Sequence, residues 1–342
     1  MALVRKCVVW DLDNTLWDGV CLEGAVRVRP GVCHVIEELD RRGILHSIAS
    51  RGEKDIAFEI LRDHNLDNLF LAPQINWEPK PKNIITISKE LNIALDAIAF
   101  VDDDRFELNQ VTYMLPEVLT IEASRASELT LLPDFCPECV TREARARRQF
   151  YQAEQARKCA ESRYRTREGF LASCAMRLTL RSMVESDLPR ASELMSRTHQ
   201  LNTTGRVLPQ EELLKILNGA SGTTTAKVAE LTDCYGSYGI VGVAILKTTS
   251  ASWTLQYLAV SCRVLGRGVE RAILASLLHH GHNLGLSCAK ALFRDTGRNR
   301  AMRALYQMMG FRKQGVPTED GTTVFLSNGN NIPEVPSWIE VL

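Results

Sequence analysis

Apolar and polar positions along the first third of the chain alternate between two rhythms. Cys7-Val-Val-Trp10 is a short continuous apolar run, the pattern of a strand covered on both faces. Val32, Val35, Ile36 and Leu39 then recur at helical spacing. Ile44–Ala49 reads as a second strand, and Ile98–Val101 as another that ends in three aspartates. Strands alternating with helices predict a parallel α/β sheet, and acidic clusters at strand ends are where such sheets place their sites.

From residue 140 to 172 the pattern changes. Thr141–Glu168 carries nine basic and four acidic residues, and neither Gly nor Pro appears before Gly169. The stretch predicts a long basic helix, read as a solvated connector or as a face for an acidic partner. A second α/β unit follows. Met176–Leu180, Ile240–Thr248, Trp253–Val260 and Ala289–Phe293 read as strands. Val269, Ile273 and Leu277 mark one helix, and Arg300–Met309 another that Gly310 ends. The expected organisation is one α/β domain over 1–137, a connector over 138–174, a second α/β domain over 175–330 and a tail over 331–342.

Composition narrows the classes. The 342 residues include 41 Lys+Arg and 41 Asp+Glu, so no average field attracts a nucleic acid or an anionic membrane. Hydrophobic residues are 45% and charged residues 24%, a globular balance. The longest apolar run, Gly239–Leu246, is far short of the ~20 residues of a bilayer span. The opening Met-Ala-Leu-Val-Arg-Lys leads straight into a strand, which is not the pattern of a signal peptide. Ten irregularly spaced cysteines suit a reducing cytosol, so a cytoplasmic location is expected. Cys136-Pro-Glu-Cys139 has the spacing of half a zinc site, but no second pair follows, and two loop thiols are the simpler reading.

Asp11-Leu-Asp13-Asn-Thr15 closes the first predicted strand. Once the chain turns, both carboxylates can face one ligand, one attacking phosphorus and the other moving a proton. Ser50 follows the next strand, Lys80 sits in Trp77-Glu-Pro-Lys80-Pro-Lys82, and Asp102 and Asp103 close the strand Ile98–Val101. A hydroxyl, an ammonium and a second carboxylate pair are what phosphoryl transfer with a divalent cation requires. Mg²⁺ suits all-oxygen ligands. This set, in this order, resembles the haloacid dehalogenase (HAD) phosphatase superfamily. The resemblance implies Asp11 as nucleophile and Asp13 as general acid/base. Ser50, Arg51 and Lys80 would bind substrate phosphate, with Lys82 as competitor for the lysine role. Asp11, Asp13, Asp102 and Asp103 would surround the metal. From Asp11 to Ser50 is 39 residues and from Ser50 to Lys80 is 30, too few in either gap for a large cap domain. The site is therefore expected to be open to solvent.

Arg263-Val-Leu-Gly266-Arg267-Gly268 lies between a predicted strand and a helix, where backbone N–H groups favour an anion. With Asn299, Tyr306 and Gly310-Phe311 downstream, it resembles the GNAT acyltransferase fold. That resemblance implies that Arg263, Gly266, Arg267, Gly268, Asn299 and Tyr306 grip a pantetheine arm. Tyr306 is read equally as a thiolate-protonating group or as a core aromatic. Cys262, beside Arg263, is a candidate acyl acceptor. In Arg197-Thr-His199-Gln-Leu-Asn202, His199 is a candidate base for it or a surface residue after a helix, and Asn202 a candidate substrate contact.

Four stretches together resemble the FkbH-like family of polyketide pathways, a capless HAD domain fused to a GNAT-like domain. They are Asp11-Leu-Asp-Asn-Thr-Leu-Trp17-Asp-Gly19-Val, Asn76-Trp-Glu-Pro-Lys80, Arg197-Thr-His-Gln-Leu-Asn202 and Ser261-Cys-Arg-Val-Leu-Gly-Arg-Gly-Val-Glu270. Membership implies a glyceryl transferase/phosphatase. Such an enzyme dephosphorylates D-1,3-bisphosphoglycerate and loads the glyceryl group as a thioester onto an acyl carrier protein, through an enzyme cysteine. Its expected cofactors are Mg²⁺ and the carrier's phosphopantetheine arm, with neither nucleic acid nor membrane as partner. A bifunctional phosphatase and coenzyme A-dependent N-acetyltransferase, and a non-catalytic carrier-docking scaffold, remain as alternatives.

Overall fold

A computed structural model describes residues 4–137, 140–219, 222–250, 252–286, 288–327 and 333–342. Its contacts divide the chain into two units, residues 1–154 and 155–342. Cys139 lies outside the described residues.

In the first unit the strands run β1 (Cys7–Trp10), the short hairpin β2 (Trp17–Asp18) and β3 (Arg27–Val28), β4 (Leu45–Ser50), β5 (Gln74–Ile75), β6 (Ile98–Asp102) and β7 (Leu119–Glu122). Helices α1 (Pro30–Arg41), α2 (Lys54–Asp63), α3 (Lys80–Leu91) and α4 (Arg105–Met114) connect them. Five strands form one parallel sheet in the order β5-β4-β1-β6-β7. Every residue of β1, β4 and β6 is buried, as uninterrupted apolar strands between two helical layers require. One layer packs Val32, Val35, Ile36 and Leu39 on the sheet, and the other packs Ile84, Ile87 and Val111. The HAD-type order places the central β1 between β4 and β6, so Asp11, Ser50 and Asp102 leave the same sheet edge on neighbouring strands.

The basic stretch is three helices, not one: α5 (Arg142–Arg145), α6 (Arg147–Glu161) and α7 (Arg167–Ser173). Two threonines restart the helix. Thr141 accepts from the Ala144 N–H (3.0 Å), and Thr166 from the Gly169 N–H (3.1 Å). Nor is the stretch uniformly solvated. Arg157 is only 2% exposed, paired with Asp233 at 2.8 Å and stacked 3.8 Å from the centre of the Tyr238 ring. Its charge therefore faces the interior.

The second unit holds β8 (Met176–Ser182), α8 (Leu188–Arg197), α9 (Gln210–Leu217), β9 (Thr224–Asp233), β10 (Gly236–Thr248), β11 (Ser252–Val260), α10 (Val269–Asn283), β12 (Cys288–Arg294), α11 (Arg300–Met308), β13 (Arg312–Gln314), β14 (Thr322–Ser327) and β15 (Ile339–Val341). They build one mixed sheet, β13-β14-β12-β11-β10-β9-β8-β15, with the GNAT-type arrangement. The expected tail is instead an edge strand. β15 pairs parallel to β8, and the Trp338 indole donates to the Arg267 carbonyl (2.9 Å). The central pair β11/β12 is parallel, and its recorded register ends at Leu255↔Ala291 although both strands run on. Among the described residues, no helix is long and apolar enough to cross a membrane.

His46, fully buried on β4, accepts a hydrogen bond from the Trp10 indole at Nδ1 (3.0 Å). Burial pushes its imidazolium down to about 3, partly offset by the Ile36 carbonyl. The unfolded chain, with a histidine near ~6.5, takes up the proton first, so this contribution is present above that pH and is lost as pH falls from ~6.5 toward about 3. About 2 kcal/mol should be lost by pH 5, at ~1.4 kcal/mol per pH unit. Urea unfolding at pH 7 and pH 5 should show a smaller acid loss in His46→Gln, which keeps an acceptor for Trp10.

Candidate functional site

The backbone turns sharply where β1 ends. The Leu12 carbonyl accepts from the N–H groups of Thr15, Leu16 and Trp17, and Asn14 sits at a positive φ of 52°. Asparagine tolerates that region because its short side chain bonds locally, here accepting from the Gly19 N–H (3.1 Å). The turn presents Asp11 toward the strand ends and holds Asp13 beside it. Asp13 Oδ1 accepts from the Trp17 indole (2.7 Å) and the Cys21 N–H (3.1 Å). Asp13 thus belongs to the hairpin wall, pre-oriented by a buried Trp17.

Lys80 begins α3 and reaches back into the site. Its Nζ donates to Asp11 Oδ1 (2.7 Å) and Asp102 Oδ2 (2.5 Å). All three groups, and Ser50, are 5% exposed or less. The other oxygen of Asp102 accepts from the Asp104 N–H (2.9 Å), and Thr15 donates to Asp103 Oδ1 (3.4 Å). Lys80, not Lys82, is the ammonium at the site: Lys82 pairs with Glu78 on an exposed turn. Arg51 leans away from the carboxylates onto the buried Glu107 (2.7 Å). No domain is inserted between the motifs, as their spacing implies. Asp11 and Asp102 are nonetheless buried, bonded by Lys80, while Asp13 is half-buried and Asp103 exposed.

Burial pushes the Asp11 carboxyl up to about 7, with the Lys80 ammonium pulling it down and Asp102 pushing it up. Asp102 is likewise raised by burial against Lys80. Lys80 is raised, its burial being outweighed by the two carboxylates. A further cation would shift both acids toward the ionised form. The donor set fits one. Ligand oxygens of Asp11, Asp102 and Asp103 lie within 4.8 Å of one another, and a set of hard oxygens suits Mg²⁺. Asp13 does not contribute a carboxylate to that cluster, which corrects its expected place among the side-chain ligands: its oxygen is taken by Trp17 and Cys21.

In the second unit the residues separate into two groups. Cys262 is exposed and opens a 3₁₀ turn over Cys262–Val264, directly after β11. Where β11 and β12 stop pairing, the segment 201–204 lies between them. Val260 donates to the Leu201 carbonyl (2.8 Å), Thr203 donates to the Leu258 carbonyl (3.0 Å), and Asn202 bridges Ala259 in antiparallel sense. The ladder stops at Leu201 and Val260: residues 199–201 form a bend and turn and Cys262 begins the 3₁₀ turn, so the structure does not pair the predicted acyl acceptor with its predicted base. His199 is exposed in a bend after α8.

Asn299 and Tyr306 answer to a different description. Asn299 is fully buried and donates to the carbonyls of Asn202 (2.8 Å) and Arg294 (2.9 Å). Tyr306 is fully buried against Phe311 and Phe325, its hydroxyl donating to the Leu292 carbonyl (3.3 Å). Asn202 holds its own turn, accepting from Thr204 and Gly205 and donating to the Tyr257 hydroxyl. The expectation that Asn299 and Tyr306 touch a pantetheine arm, and Asn202 a substrate, gives way to structural roles: their polar atoms face the chain's own backbone and side chains. Gly266 and Gly268 take the positive φ that glycine allows (73° and 80°). A Cβ on Gly266 would come within 2.7 Å of Arg167, and one on Gly268 within 3.1 Å of Pro336. Arg263 is exposed and donates to the Tyr238 carbonyl (3.0 Å), while Arg267 is buried 5.4 Å from that ring. Sequence reading missed Thr203 and Arg294. Neither belongs to a motif, and the role of each depends on a strand divergence visible only in the fold.

The N-terminal part of BF1531 from Bacteroides fragilis, a phosphatase domain solved with Mg, is 30% identical over 34% of this chain and 36% of that one, with a TM-score of 0.32. This chain thus spans about a third of that structure. The ribosomal-protein-S18-alanine N-acetyltransferase of Escherichia coli is 21% identical over 46% of this chain and 97% of that one, with a TM-score of 0.35. The spermidine N-acetyltransferase of Vibrio cholerae, in complex with CoA and spermine, is 17% identical over 45% and 98%, with a TM-score of 0.36. No protein-family model and no curated protein matches. The fold class stands on the topology: a HAD-type parallel sheet, then a GNAT-like α/β unit.

Replacing Lys80 by Met would leave two buried carboxylates facing each other. Breaking such an arrangement costs about 3–5 kcal/mol. Lys80→Met should show that loss in urea unfolding at pH 8 and a smaller one at pH 5, where one carboxyl takes a proton and relieves the repulsion.

Proposed function

We propose that this chain is a glyceryl transferase/phosphatase of the FkbH-like kind. It dephosphorylates D-1,3-bisphosphoglycerate and delivers the glyceryl group as a thioester to the phosphopantetheine arm of an acyl carrier protein. The observation that carries the reading is the gathering of Asp11, Lys80 and Asp102 in one pocket, in a chain that also exposes Cys262 directly after β11.

At the first site Asp11 attacks the 3-phosphate and the ester oxygen leaves with a proton from Asp13. Water, deprotonated by Asp13, then hydrolyses the aspartyl-phosphate and regenerates Asp11. Lys80 and Ser50 hold the phosphoryl oxygens and balance their charge. Asp11, Asp102 and Asp103 would hold Mg²⁺, which supplies charge neutralisation on the transferring group. At the second site His199 takes the Cys262 proton, and the thiolate attacks the acyl-phosphate carbon. A C–S bond forms, the C–O bond to phosphate breaks, and inorganic phosphate leaves. The pantetheine thiol then displaces Cys262 in a thioester exchange. The acyl phosphate is already activated, so no nucleotide is consumed. An exposed Cys262 suits an acceptor arm presented by a separate protein.

Incubation with the bisphosphoglycerate, Mg²⁺ and a pantetheinylated carrier, followed by intact-mass analysis, tests this. The wild type should add one glyceryl group to the carrier. Cys262→Ala should carry no adduct and load nothing. An adduct surviving in Cys262→Ala removes the thioester step, and acetyl transfer from acetyl-coenzyme A by that variant would favour the N-acetyltransferase alternative. Asp11→Asn should lower phosphate release from the 3-position at least about a thousandfold. Unchanged release in that variant places the phosphatase chemistry elsewhere.

A further inference from the structure

The basic stretch ahead of β8 has no part in the chemistry above, yet it is held firmly in the second unit. Arg157 bonds both carboxylate oxygens of Asp233 (2.8 and 2.9 Å). Further on, Phe170 and Leu171 are buried in the core that also holds Val264 and Val269, which bracket the glycine turn. Tyr164 packs edge-on against Phe170, with 5.7 Å between ring centres. Between these anchors Arg163, Arg165 and Arg167 are exposed, and none of the three joins an ion pair among the described residues. Arg167 sets this strip beside the turn that carries the thiol. Its Nη2 lies 2.7 Å from where a Cβ on Gly266 would stand. One tight turn separates Gly266 from Cys262: the Cys262 carbonyl accepts from the Leu265 N–H (3.1 Å), and the Val264 carbonyl from the Arg267 N–H (3.2 Å). Cys262 is exposed, and so is the apolar Leu265. Glu161 and Glu168 flank the strip, and the exposed Arg263 and Arg271 on the turn and α10 add to its positive charge.

We propose that Arg163, Arg165 and Arg167 form the docking surface for an acidic face of the carrier protein whose pantetheine thiol takes the acyl group from Cys262. The proposal rests on the reading of Cys262 as the residue that hands the acyl group to that arm. The carrier's body must settle within reach of Cys262, and this strip is the cationic surface next to the thiol's own turn. Its shape fits a protein better than a small anion. Exposed charges strung along a segment hold a lone phosphate weakly in water, whereas several carboxylates on one face engage several guanidinium groups at once. All three positions are arginine, whose planar fork matches carboxylates in pairs. Leu265 supplies an apolar contact at the edge of the charges, as the cores of protein interfaces do. The chain as a whole has no net charge, so attraction for an acidic partner has to be local.

The test uses the full chain with Mg²⁺, the bisphosphoglycerate and two acceptors: a pantetheinylated, acidic, stand-alone acyl carrier protein and free pantetheine. Thioester formation is followed by intact mass, and carrier affinity is measured separately on Cys262→Ala, where no chemistry intervenes. Arg163→Glu with Arg165→Glu should raise the half-saturation for the carrier at least about tenfold and flatten its salt dependence. Acyl capture by Cys262 and transfer to free pantetheine should stay within about twofold, because neither arginine touches the thiol. Arg163→Lys with Arg165→Lys should retain most of the affinity. Carrier half-saturation and affinity unchanged by the double reversal overturn this inference and leave the cysteine reading intact. A weaker half-saturation for the bisphosphoglycerate, with that for the carrier unchanged, assigns the strip to the small donor and also overturns it. Carrier binding that the reversal weakens, with no acyl group on Cys262 in the wild type, upholds the docking surface and removes the cysteine reading. A wild type that neither acylates Cys262 nor binds the carrier overturns both.

Discussion

A single ammonium between two buried carboxylates sets the terms for the N-terminal unit. Lys80 Nζ bonds both Asp11 and Asp102, and with it in place two like charges can share a buried position. The parallel sheet imposes this arrangement. Asp11 and Asp102 end adjacent strands, so they cannot avoid each other, and α3 starts with the residue that neutralises them.

Much of this was legible beforehand because parallel strands announce themselves as unbroken apolar runs. Cys7–Trp10 and Ile98–Asp102 are strands that end in the acidic residues their pattern suggested. Lys80 was legible as chemistry, through its motif. The enclosure of the site was not, because exposure depends on how loops fold over each other and chain spacing carries no such information. The basic stretch shows the same limit. Its charge pattern resembles a solvent-exposed helix, yet Arg157 is drawn inward by Asp233 and Tyr238, residues nearly eighty positions downstream.

In the second unit local motifs singled out residues that the fold engages with its own backbone. Asn299 and Tyr306 carry the spacing of ligand-gripping residues, but both are buried on the chain's own carbonyls. What decides the matter is where β11 and β12 cease to pair. A gap between parallel strands leaves main-chain groups without partners, and this chain fills it with a stretch of its own backbone.

The closing strand has a bearing on how the molecule is made. Because β15 zips onto β8, and Trp338 secures the Arg267 carbonyl just ahead of α10, the glycine turn after Cys262 takes its final form only once residues 336–341 have emerged from the ribosome. The nascent chain can therefore complete its N-terminal unit well before the turn after Cys262 is closed by the strand that follows it at a distance.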